Sequence, residues 1–89
     1  PFSIATTGHG GMKVTLEKRP TLAGQLAVAD PKKYPEFDGN VFTVDSRPFQ
    51  RTVEVSPKSD GSHWHNNGET LWLIGKGMGD GMVKMLQGK

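Results

Sequence analysis

No cysteine occurs among the 89 residues. Disulfides therefore cannot brace the fold, and no thiolate is present to act as nucleophile or metal ligand. Apolar residues are also scarce, at 34%, which is below the usual share for a globular domain and predicts a small core or help from a partner. No run approaches the ~18 consecutive apolar residues of a membrane span. Neither sign of charge dominates: the formal net charge is +2, and the only basic doublets are Lys18-Arg19 and Lys32-Lys33. Nucleic-acid binders carry a denser basic stripe with interleaved aromatics, so nucleic acid is not an expected partner. Pro1-Phe2-Ser3-Ile4 has no basic or apolar leader pattern. A soluble chain without a signal peptide or transmembrane segment is expected, with its compartment unspecified.

What is present is turn chemistry and short β-prone runs. Gly (12) and Pro (6) make up about a fifth of the chain. Asp38-Gly39, Asp60-Gly61, Asn67-Gly68 and Asp80-Gly81 are turn signals, because Gly reaches positive φ without steric cost. Pro20, Pro31, Pro35, Pro48 and Pro57 bar long helices. Met12, Val14 and Leu16 alternate with polar residues, as do Val53 and Val55, and Leu26 and Val28 alternate with alanine. Phe2 to Thr7 and Val41 to Val44 read as short strands, and Thr70 to Ile74, apolar on both faces, as the central one. Met82 to Leu86 is a final apolar run of either type, and Thr21 to Ala29 has room for two turns of helix. The pattern predicts an all-β fold, a small antiparallel sandwich or barrel of about six short strands, in a single domain over residues 1–89. Residues 30–40 read as an exposed loop carrying Tyr34 and Phe37.

The densest chemistry lies in His63-Trp64-His65-Asn66-Asn67-Gly68-Glu69-Thr70-Leu71-Trp72. On a strand, His63 and His65 would share a face. A two-residue turn at Asn67-Gly68 would send Glu69 to the other face; a three-residue turn would bring Glu69 onto theirs, and His9 could then complete a divalent metal site. The spacing His63-x-His65-x3-Glu69, followed by Gly75, resembles the first metal-binding motif of the cupin family. That resemblance implies a β-barrel binding a divalent transition metal through His63, His65 and Glu69. Pro57 stands where the family motif has glycine, and no histidine comes after His65 to supply the second motif.

Other readings rest on fewer residues. Trp64-His65-Asn66 resembles the opening of the His-Asn-His toxin nucleases, and paired histidines could act as acid and base, with Lys58 or Lys76 at a phosphate. Gly75-Lys76-Gly77-Met78-Gly79-Asp80-Gly81 lacks the spacing of a phosphate loop and reads as structural. Pro1 resembles the base of the tautomerases, but no long helix is expected after the first strand. No nucleophile–base–acid order stands out, so no catalytic residue is assigned. The leading expectation is a small non-enzymatic binding or structural module that associates with partner subunits or with itself, as a virion decoration or assembly protein does. A metal-binding module at His63, His65, Glu69 and His9 is the alternative.

Overall fold

The computed structural model describes residues 1–88. Two short strands, β1 (Phe2–Ala5) and β2 (Val41–Val44), form a two-stranded parallel sheet with Phe2 opposite Val41 and Ala5 opposite Val44. Two helices, α1 (Pro20–Ala27) and α2 (Gly68–Gln87), pack against it. Single 3₁₀ turns fill much of the remaining chain. The expected all-β sandwich or barrel of six strands is thus corrected to a mixed α/β chain of order β1-α1-β2-α2.

Each element has a local cause. β2 is the β-prone run Val-Phe-Thr-Val. α1 begins with Pro20 at its first position, where a missing N–H costs nothing, and buries Leu22 completely. Parallel strands need a crossover, and α1 supplies it. Thr43 Oγ1 donates to the Gln25 carbonyl of α1 at 2.6 Å. Its neighbours along β2, Phe42 and Val44, instead lie against Gly81 and Gly77 of α2. Alternate strand residues point to opposite faces, so α1 and α2 sandwich the sheet. Ser3, paired with Phe42, donates from Oγ to the Met78 carbonyl of α2 at 2.9 Å.

The core is small. Leu22, Val41, Val44 and Met85 are its buried apolar residues, against eleven large apolar side chains left exposed. The accessible surface is 5708 Å², where a compact chain of this mass presents about 5,100 Å². The radius of gyration is 13.9 Å, against about 12 Å expected for this length.

The other expected strands are 3₁₀ turns or helix instead. Met12 belongs to the 3₁₀ turn Gly11–Lys13, Leu26 lies in α1 with Val28 as its C-cap, and Val53–Val55 is a 3₁₀ turn. Thr70 to Ile74 and Met82 to Leu86 are both α2. Tyr34 and Phe37 do lie exposed between α1 and β2, stacked on each other with centroids 6.1 Å apart.

Candidate functional site

The histidine segment is not a hairpin. Gly61–Asn66 forms 3₁₀ turns in which Trp64, His65 and Asn66 all adopt the left-handed conformation, with φ of 56°, 56° and 54°. Three consecutive non-glycine residues there are uncommon. Asn67, expected in a turn, caps α2: its side-chain oxygen accepts from the Thr70 N–H at 3.0 Å. The question of a two- or three-residue turn therefore disappears.

The four expected ligands are not brought together. His63 is largely exposed, with Nε2 3.7 Å from Asp60 Oδ2. Glu69, on the first turn of α2, pairs with the Arg51 guanidinium. The His9 ring meets the Trp64 ring edge-on, with centroids 6.3 Å apart. Burial and then Arg19 hold the His9 imidazole below its ordinary pKa, against an opposing pull from Asp60. His65 buries its Nδ1 without a hydrogen-bond partner. Among the described residues no three His, Asp or Glu side chains form a group that could hold a metal ion.

An open cleft of about 880 Å³ does exist, lined by Gly10 to Lys13, by Arg47, Pro48 and Gln50 to Glu54, and by His65. Its walls include the loops that leave the carboxyl ends of both strands, where α/β proteins commonly bind ligands. The loops are tied together: Thr6 N–H donates to the Val44 carbonyl at 3.1 Å, and Ser46 Oγ to the Thr6 carbonyl at 2.9 Å. Gly8 has to be glycine, because a Cβ would stand 2.5 Å from Ser46 Oγ. The cleft's arginines are already engaged. Arg47 forks onto Asp45 and donates from Nη1 to the Val14 carbonyl at 2.9 Å, while Arg51 holds Glu69. The Arg47 hydrogen bond keeps the Asp45 carboxyl below its ordinary pKa. Lys13, Glu54 and His65 are the other ionisable groups of the cleft, and Thr52 and Ser59 bring hydroxyls to it. Sequence reasoning missed Asp45, Arg47 and Gln50. Their signal was a loop after a β-prone run, informative only once the strands are known to be parallel.

The most distinctive surface lies on α2. At about 100° per residue, Thr70, Ile74, Gly77, Met78, Gly81 and Met85 fall on one side, and several of these meet the sheet. Glu69, Lys76, Asp80 and Lys84 gather in a second sector. The third sector holds Leu71, Trp72, Gly75, Gly79, Met82, Val83 and Leu86, with Leu71 and Val83 at its edges. Here Leu71, Trp72, Val83 and Leu86 are 52%, 64%, 53% and 57% exposed, and nothing lies within 4 Å of where a Cβ on Gly75 or Gly79 would stand. Among the described residues no helix is long and apolar enough to cross a membrane.

Comparison of the chain with protein-family models, with curated proteins and with solved structures finds no match in any of the three.

Proposed function

We propose that the chain is a non-enzymatic association module that binds a protein partner through the outer face of α2. The observation that carries this reading is the second apolar sector of that helix, where Leu71, Trp72, Val83 and Leu86 are each more than half exposed. A surface helix normally has one apolar stripe and a polar remainder, and a helix apolar over most of its circumference belongs in an interior. Contiguous exposed apolar surface of this kind marks interaction sites. Each strand also has one neighbour and so leaves an outer edge open.

The test is the double substitution Leu71→Lys with Val83→Lys. Both side chains are exposed, so far-UV circular dichroism and the thermal midpoint of dilute protein should stay close to wild type, within about 0.5 kcal/mol. Binding of 8-anilinonaphthalene sulfonate by the dilute native protein should fall. A variant that unfolds would place this face inside the chain's own fold and overturn the reading. Unchanged dye binding would overturn it as well.

A further inference from the structure

The outer face of α2 repeats itself in reverse. Leu71 and Val83 lie six residues to either side of Gly77, Gly75 and Gly79 lie two, and Trp72 and Met82 lie five. At about 100° per residue, Leu71 and Met82 lie on one flank of this face and Trp72 and Val83 on the other. A reversed copy therefore brings Leu71 beside the partner's Met82 and Trp72 beside the partner's Val83, with the glycines between them and Leu86 level with the partner's Gly68. From this, and resting on the association reading above, we infer that the occupant of the face is a second copy of this chain, docked α2 to α2 in antiparallel fashion about a two-fold axis level with Gly77. An isologous contact of this sort requires a self-complementary surface, which the reversed pattern supplies.

Two further features support this occupant. Gly75 and Gly79 sit in the middle of the apolar sector with open space before them, so two backbones could approach closely there. The same helix already uses that device on its other side, where Gly77 and Gly81 admit Val44 and Phe42. Charge agrees as well. Lys76 and Asp80 form an exposed ion pair at 2.6 Å beside the apolar sector. In the antiparallel register Lys76 is level with the partner's Met78, about 3 Å of helix rise from the partner's Asp80 and on the same rim. Each lysine then has an aspartate across the axis as well as along its own helix.

The experiment has two arms. Sedimentation velocity of the whole chain, from low to high micromolar concentration, should show a monomer–dimer equilibrium. Leu71→Lys with Val83→Lys should weaken it by roughly a hundredfold, since a few large apolar anchors carry most of an interface's affinity and the change places four lysines in it. In the second arm, Leu71→Cys and Val83→Cys proteins are mixed and treated with a short bismaleimide; the chain has no cysteine of its own. The mixture should cross-link faster than either protein alone. A wild type that stays monomeric throughout overturns the inference, as does like-with-like cross-linking at an equal or greater rate. If the wild type is monomeric while the lysine variant keeps its fold and loses dye binding, self-association falls and the broader association reading stands. If the variant unfolds, both fall.

Discussion

At the scale of single residues, the loops that leave the two strands depend on a few polar side chains. Arg47 is the central one. Its guanidinium forks onto Asp45 and reaches the Val14 carbonyl, so one side chain ties the segment after β2 to the segment after β1. The Asp45 carboxyl is held below its ordinary value by that hydrogen bond, with desolvation opposing. A carboxyl whose folded pKa is depressed adds stability above its unfolded pKa and loses it as pH falls through the folded one. Asp45→Asn should therefore lower stability near neutral pH by about 1 kcal/mol, a modest figure because the pair is partly exposed. It should also flatten the loss of stability with acid below the ordinary carboxylate range. Urea unfolding of both proteins at neutral and at acid pH measures this. An unchanged acid limb would mean that Asp45 is not held by Arg47. His9, also depressed, works in the same direction nearer neutrality: its contribution falls away as pH drops through about 6.5 and below.

At the scale of elements, α2 is stabilised at its start by Asn67, which is 6% exposed. Its oxygen caps the Thr70 N–H, and its Nδ2 donates to the Val55 carbonyl at 3.2 Å and to Ser56 Oγ at 3.0 Å. An exposed cap is worth about 1 kcal/mol. Asn67→Ala should cost about 2 kcal/mol, because it also leaves a half-buried acceptor on the preceding segment unpaired. Thermal unfolding monitored at 222 nm checks this. The same residue shows why so much of the fold was illegible. Asn-Gly is both a hairpin signal and a capping residue with a helix start behind it, and only the downstream residues decide between them. Residues 71–81 point the wrong way twice. Leu71-Trp72-Leu73-Ile74 is apolar on every side, which a central strand and a two-faced helix share. Glycine at 75, 77, 79 and 81 then imposes a period of two on a segment whose working period is four, Gly77 with Gly81 inward and Gly75 with Gly79 outward. The short strands were legible within Phe2 to Thr7 and at Val41 to Val44 from their β-prone residues, and Thr21 to Ala29 was legible as room for two turns of helix, which run Pro20–Ala27. The candidate metal site was legible only as a set of donors. Its face depended on a strand pair that residues 63–70 do not form.

At the scale of the whole molecule, few buried apolar residues hold a chain whose surface and radius both exceed those of a compact domain of its size. A parallel sheet of two strands is small support, since parallel strands are normally covered on both faces and within a wider sheet. Here α1 and α2 cover the faces, and α2 carries more apolar surface than two strands can use. The central claim is that α2 has one covered side and one waiting side, and its four central glycines test this directly. Thermal unfolding of dilute Gly75→Ala, Gly79→Ala, Gly77→Ala and Gly81→Ala, each compared with wild type, separates the two. Alanine at Gly75 or Gly79 enters open space and should stabilise the helix by up to about 1 kcal/mol. At Gly77 and Gly81 it would meet Val44 at 2.9 Å and Phe42 at 2.0 Å and should destabilise by about 1 to 3 kcal/mol. If all four substitutions stabilise alike, or the outer pair destabilises and the inner pair does not, α2 does not lie as described and the claim fails.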